Sequence, residues 1–283
     1  MTVLDALQWA EGELRAIPDP RLDAEYLLAA VLAMPRLQLL VSKRRELTDA
    51  ERETYTRLVA RRRSREPLQY ILGSQPFMGF SFRTDPRALI PRNDTEALCE
   101  QALLRLRPGS RVLDVCTGTG AIAIALKKLC PGALVTASDI SAGALSLARE
   151  NAEALGADVR FLEGDLFAPV KGERFDVIVS NPPYIPDTLR GQLQAEVERE
   201  PALALFAGAD GLDFYRRIAA EAPAHLAPGG WLLMEVGDGE MDAVTALLTP
   251  DFDPPLRLND LNGLPRVIAA RIKEGNNHAG STV

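Results

Sequence analysis

Cysteine is scarce in this chain. Cys99, Cys116 and Cys130 are the only three in 283 residues, and no two form a C-x-x-C pair. That excludes a disulfide framework and a cysteine-held structural zinc, and no metal is expected. Histidine is scarcer: His225 and His278 stand alone, the second in a polar tail, so chemistry that needs a histidine pair has no basis. No apolar run approaches the roughly 18 residues of a membrane span. The start, MTVLDALQWAEGEL, is amphipathic and carries acids, which is not the make-up of a secretory signal. Excess positive charge is lacking too. A formal charge of −7 argues against holding nucleic acid through bulk electrostatics. The expected compartment is the cytosol.

What is present is an ordinary globular composition, 47% hydrophobic and 25% charged, enough to bury a real core. Up to Gly73 the chain carries twelve Lys and Arg against eleven Asp and Glu; the remainder carries 20 against 28, so the acidity lies in the second part. The first 73 residues have helical spacing, few glycines and no strand-like run. Leu4, Leu7 and Ala10 share one helix face. Leu22, Tyr26, Ala29 and Ala30 share another, in a run that Pro35 ends. Thr48 followed by Glu51 is a capping-box pattern that opens a third helix. In that helix Arg61, Arg62 and Arg63, with Arg65 after them, read as a solvated face more readily than as a contact for RNA or an acidic partner.

From Glu66 to Glu96 the pattern changes to alternating apolar positions with Gly and Pro punctuation. Phe77 and Met78, then Phe80 and Phe82, around Gly79, predict a β-hairpin, and no helix is expected before Thr95. Asn93 or Asp94 is placed to cap the helix that follows. From Arg111 onward strand and helix patterns alternate, which implies a mainly parallel sheet with helices on both faces. Pro228-Gly229-Gly230 reads as the terminator of the helix before the fifth strand. The organisation predicted is a helical domain over 1–74, a hairpin linker over 75–92, an α/β domain over 93–273 and a frayed polar tail over 274–283.

Two turns carry the chemistry. Phe175 to Tyr184 is a buried parallel strand that ends abruptly in Asn181-Pro182-Pro183-Tyr184. Neither proline can donate a main-chain hydrogen bond, so the turn is stiff and its carbonyls are bare. A carboxamide, carbonyl acceptors and an aromatic face suit a planar NH2 group: two acceptors for its hydrogens and a ring for its plane. Upstream, Asp114 to Gly120 is a glycine-rich turn between strand and helix, where Gly118 and Gly120 allow close approach of a ligand. Asp139 closes the next strand, placed to accept two ribose hydroxyls. Asp165, before Leu166, closes the third, where an adenine amino group could be read. In open α/β sheets such strand ends share one crevice.

The constellation resembles the class I S-adenosylmethionine-dependent methyltransferases, with DVCTGTG as the first motif and NPPY as the amino-methylating one. EPLQYILG, F-x-G-x-x-F, LIPRNDTEAL, CTGTGAIAIAL, SNPPYIP and EPALALFAGADGLDFYR, in that order, resemble the HemK/PrmC family of peptide chain release factor glutamine methyltransferases over nearly the whole chain. The resemblance implies a Rossmann-like seven-stranded sheet with a small N-terminal helical bundle that docks the substrate. It implies S-adenosylmethionine as cofactor, held by Cys116, Thr117, Gly118, Thr119 and Gly120, with Asp139 on the ribose, Asp165 and Leu166 beside the adenine, and Asn181 nearby. It implies that Asn181, Pro182, Pro183 and Tyr184 hold the glutamine of a Gly-Gly-Gln loop, and that Arg92, Thr95 and Glu96 match a PR-x-x-TE segment at the active site. The expected partner is a release factor, with no membrane, no stable nucleic-acid binding and a monomeric state. The chain departs from the family at Glu240, where glutamine is usual, and at Asn262. The competing readings are a nucleic-acid adenine or guanine N-methyltransferase, which would need a basic groove and a long target-recognition insert, and a binding module whose site has decayed.

Overall fold

A computed structural model describes residues 1–248, 251–260 and 262–273. The tail predicted for 274–283 lies outside the described residues. The chain divides into two compact units, one of residues 1–74 with 194–199, the other of residues 75–193 with 200–283.

In the first unit α1 (Val3–Glu13), α2 (Pro20–Val31) and α4 (Asp49–Arg63) close on a core that includes Leu7, Leu27, Leu28 and Tyr55. Thr48 opens α4 as the sequence implied: its hydroxyl accepts from the Glu51 N–H at 3.3 Å, and Glu51 accepts from the Thr48 N–H at 2.8 Å. Two short helices were not expected, α3 (Arg36–Val41) and α5 (Leu68–Leu72). Each starts after a proline, and α5 stops at Gly73, whose φ of +74° ends a helix. Five or six residues are too few to show a helical period.

One member of the arginine cluster leaves the solvated face: Arg63 is exposed and Arg61 and Arg65 are half-buried, but Arg62 is not. Arg62 is buried, bonded to Asp23 at 2.6 Å and to Glu196 at 2.7 Å. Arg65 takes the other Glu196 oxygen at 2.8 Å, Arg61 pairs with Glu66, and Arg63 with Glu13. The cluster neutralises acids of its own unit.

The second unit opens with the hairpin of β1 (Ser74–Phe77) and β2 (Phe80–Arg83), followed by a loop and α6 (Glu96–Leu103). Neither Asn93 nor Asp94 caps α6: both lie in a 3₁₀ turn, and no side chain bonds the helix start. There follow β3 (Arg111–Val115), α7 (Ala121–Leu129), β4 (Leu134–Asp139), α8 (Ala142–Leu155), β5 (Arg160–Glu163) and β6 (Phe175–Ser180). Last come α9 (Asp213–His225), β7 (Leu226–Glu235), α10 (Met241–Leu248), β8 (Leu256–Asn259) and β9 (Pro265–Arg271). Among the described residues these form a seven-stranded sheet in the order β5-β4-β3-β6-β7-β9-β8, with β9 antiparallel to both its neighbours.

Strand residues alternate between two cores. Leu113, Ile178, Leu232 and Ile268 face α9 and α10; Val112, Val177, Leu233 and Val267 face α6 and α7. Burial on both faces is why the strands read as continuous apolar runs. Pro228-Gly229-Gly230 does not terminate α9. The helix ends at His225 and β7 begins at once, with Phe175 paired to Leu226 and Val177 to Trp231. Gly229, at φ +71°, lies in the bulge between those pairs. No helix among the described residues is long and apolar enough to cross a membrane.

Candidate active site

The carboxyl ends of β3, β4, β5 and β6 open into one cavity that encloses about 970 Å³, part of it continuous with solvent. Cys116, Thr117, Gly118, Thr119, Asp139, Asp165, Leu166, Asn181, Pro183 and Arg92 all line it. Gly120, Pro182, Tyr184 and Glu96 do not. Gly120 faces α8 instead; a Cβ there would stand 3.0 Å from that of Ala148. Glu96 accepts the Met78 N–H at 2.6 Å and fastens the hairpin.

The glycine turn is held from within. Asp114, fully buried, accepts from the Thr117 hydroxyl at 2.5 Å and from the Ala123 N–H at 3.2 Å with one oxygen. Burial pushes its carboxyl up to about 7, against the pull of those bonds. Gly118, at φ +56°, has open space where a Cβ would stand, so its backbone is bare to the cavity. Its N–H donates to one Asp139 oxygen at 2.9 Å, and Ser141 N–H donates to the other at 2.9 Å. Burial raises the Asp139 carboxyl, and these backbone bonds oppose the rise. A carboxylate has about four acceptor positions, so each oxygen can still take a hydroxyl. The residues therefore fit an adenosyl-type group: a bare peptide for its amino-acid part and a positioned acceptor for its diol.

Cys116 and Leu166 carry positive φ, +62° and +46°, uncommon for residues with side chains. Ser180 donates to the Val115 carbonyl at 2.7 Å and Ser138 to that of Leu166 at 3.1 Å, bracing both bends. Burial pushes the Cys116 thiol well up, so it is no thiolate nucleophile. The exposed Asp165 carboxylate pairs with Arg217 at 2.7 Å, so one of its oxygens is already engaged.

At the fourth strand end Pro182 and Pro183 are buried and Asn181 is half-buried. The Asn181 Nδ2 donates to the Thr95 hydroxyl at 3.1 Å. Burial pushes the carboxyl of Glu235, the buried last residue of β7, up to about 7, with Thr95 opposing the rise. Tyr184 sits beside Gly237 and Glu240, its phenol raised by burial. The loop before α6 is clamped by Glu200, which accepts the Ile90 N–H at 2.9 Å and pairs with Arg92. Glu200 had no assigned role in the sequence, although it opens the EPALALF motif; its partners lie 110 and 108 positions away.

Comparison with solved structures places the fold. A methyltransferase from Pyrococcus furiosus matches 68% of this chain and 89% of its own, with a TM-score of 0.50 and 21% identity. The Thermus thermophilus 16S rRNA N2 G1207 methyltransferase, solved with AdoMet and guanosine, covers 71% of this chain and 50% of its own, with a TM-score of 0.52 and 22% identity. A sheet of this order with ligand-facing turns on its parallel strand ends is that of a class I methyltransferase. Residues 5–73 match the family described as PrmC N-terminal domain, and 94–197 that described as Methyltransferase small domain. The release factor glutamine methyltransferase of Geobacter sulfurreducens is 46% identical over 96% of this chain and 97% of its own. That of Deinococcus radiodurans is 44% identical over 96% and 99%. The chain belongs to the release factor glutamine methyltransferase family.

Proposed function

We propose that this protein methylates the side-chain amide nitrogen of the glutamine in the Gly-Gly-Gln motif of peptide chain release factors, using S-adenosylmethionine. The observation that carries the reading is Asn181, whose NH2 is engaged by Thr95 and whose oxygen is therefore free for the cavity that Gly118 and Asp139 also line. Gly118, Thr119 and Cys116 would hold the amino-acid part of the cofactor, Asp139 its ribose, and Asp165 with Leu166 its adenine. When bound, the cofactor supplies an electrophilic methyl group.

The chain's own work is to prepare a poor nucleophile. A glutamine amide nitrogen shares its lone pair with the carbonyl. The Asn181 oxygen and the Pro182 carbonyl each accept one of its hydrogens, which raises electron density on nitrogen and fixes the plane of the group. Pro183 shapes the turn, and Tyr184 supports it from its seat beside Gly237. Arg92, clamped by Glu200, borders the entrance, and Glu96 holds the hairpin. Orientation of this kind can supply up to roughly 7–11 kcal/mol of a barrier. The helical unit docks the rest of a large protein substrate, and the enzyme works in the cytoplasm as a monomer without stable nucleic-acid binding.

The direct test incubates the purified protein with methyl-labelled S-adenosylmethionine and two acceptors, a release factor and its Gly-Gly-Ala variant. Label on the first alone is the expected result. Label on both acceptors, or on DNA or RNA in place of either, overturns the substrate assignment.

A further inference from the structure

The glycine turn has a partner that the cofactor reading leaves unused. Asn151, on α8, is 2% exposed, and its carboxamide bonds main chain on two other segments. Its Oδ1 accepts the Arg83 N–H at 2.7 Å. Its Nδ2 donates to the Arg83 carbonyl at 3.2 Å and to the Thr119 carbonyl at 3.0 Å. A main-chain N–H can only donate and a carbonyl can only accept, so these partners leave the carboxamide one orientation. Thr119 lines the cavity. Its carbonyl is held by Asn151, and the next N–H, that of Gly120, donates to the Thr117 carbonyl at 2.9 Å. The Thr119–Gly120 peptide is thus fixed at both polar ends. Ala148, which Gly120 faces, lies three residues before Asn151 on the same side of α8.

The bonds to Arg83 reach the end of β2. From there the chain runs into one wall of the cavity, which every residue from Arg87 to Arg92 lines. Helix α8 fastens that wall as well. Glu150 pairs with Arg83 at 2.8 Å and with Arg87 at 2.6 Å, and Ala88 packs with Ala144 and Leu147. The ion pairs are part-exposed and contribute little. Asn151 is the buried link, and it also holds the glycine turn. We infer that Asn151 is a positioning residue for the cofactor, joining the glycine turn to the wall from Arg87 to Arg92 so that the two settle as one when S-adenosylmethionine binds. This inference rests on the placement of the cofactor in this cavity given above. One carboxamide suffices because it bonds both segments at once: ordering Thr119 fixes the group that orders Arg83, and the reverse.

The test uses the full chain as wild type, Asn151→Asp and Asn151→Leu. Asn151→Asp has the same shape and keeps an acceptor for the Arg83 N–H, but it turns an oxygen toward the two carbonyls. Asn151→Leu makes none of these bonds. Affinity for S-adenosylmethionine is measured by calorimetry, and hydrogen exchange at the Arg83 amide by NMR, with and without saturating cofactor. Arg83 is not among the cavity's lining residues, so a response there reports coupling and not contact. In wild type the cofactor should slow this exchange at least roughly fivefold, the lower end of a typical coupling between sites. Asn151→Asp should bind the cofactor roughly tenfold more weakly, the loss expected for one hydrogen bond, and Asn151→Leu no more tightly than that. In neither variant should the cofactor slow exchange at Arg83. A purely structural role would lower the stability of the variants without making the Arg83 amide answer to the cofactor in wild type. Wild-type affinity in Asn151→Asp, or an Arg83 amide that responds equally in wild type and variants, overturns the proposal. An Arg83 amide that ignores the cofactor in wild type overturns it even if no variant folds. Asp139→Ala separates these outcomes from a misplaced cofactor. Affinity lost there but kept in Asn151→Asp removes the role of Asn151 alone, and affinity kept in both removes the cofactor placement with it.

Discussion

The two ends of the catalytic crevice are built by different means. Around the glycine turn, each carboxylate is met by groups close by in the chain: Asp114 by Thr117 and Ala123, Asp139 by Ser141 and by Gly118, 21 positions away. Around the Asn-Pro-Pro-Tyr turn the partners come from far off. Asn181 meets Thr95 across 86 positions, and Arg92 meets Glu200 across 108. The near end is set once its strand-turn-helix forms. The far end depends on the whole unit being folded, so a substitution there should change turnover before it changes cofactor binding.

The sharpest way to break that contrast is Asn181→Ala. It should lower kcat on the order of a thousandfold, comparable to removing one preorganised polar group from a reacting centre. Cofactor Kd, measured by calorimetry, should stay within about threefold, since truncating Asn181 removes none of the bonds around Asp139. Equal losses in both would erase the distinction. Asp139→Ala is the mirror experiment. A hydrogen bond to a charged group is worth about 1.5–3 kcal/mol, so cofactor affinity should fall roughly 10- to 100-fold. Saturating cofactor should recover much of kcat, and an unchanged Kd would remove Asp139 from the cofactor site.

The smallest effect concerns Glu240, beside Tyr184. Burial pushes its carboxyl up to about 7, opposed by the Gly237 N–H and reinforced by Asp210 and Asp238. The folded chain thus holds this proton more tightly than the unfolded chain does. The associated stability is fully present below the ordinary carboxylate range, near pH 4, and is lost as pH rises toward about 7. Glu240→Gln cannot ionise, so its melting temperature relative to wild type should climb between pH 5 and pH 8. Half-burial and solvent screening limit the gain to about 1 kcal/mol, or roughly 2–4 °C for a chain of this size. A difference that is flat with pH, or of opposite sign, would show that the acid is not confined as described.

The same contrast explains what was legible in the sequence. Local signals were readable: the Thr48–Glu51 box, the apolar runs of β3 and β6, the glycine turn, and Asp139 at the end of its strand. Each depends on neighbours within a few tens of residues. Helix α5 escaped because five residues show no period. Arg62 escaped because three arginines in a row look solvated until Asp23 and Glu196 are brought to them. At the site, eleven of the residues singled out beforehand share the cavity, Thr95 among them. Tyr184, Gly120 and Glu96 are not among its lining residues, a distinction that spacing alone cannot draw.

The pairing of Arg62 with Glu196 has a consequence for how the protein is made. The guanidinium leaves the ribosome 134 residues ahead of the carboxylate that completes its pairing. At a synthesis rate of about 5–20 residues per second, the helical bundle waits roughly 7–27 seconds with Asp23 as the first available counter-charge for that buried arginine. The N-terminal bundle is therefore translated first but finished late. Its last component arrives only after the Asn-Pro-Pro-Tyr turn has been synthesised.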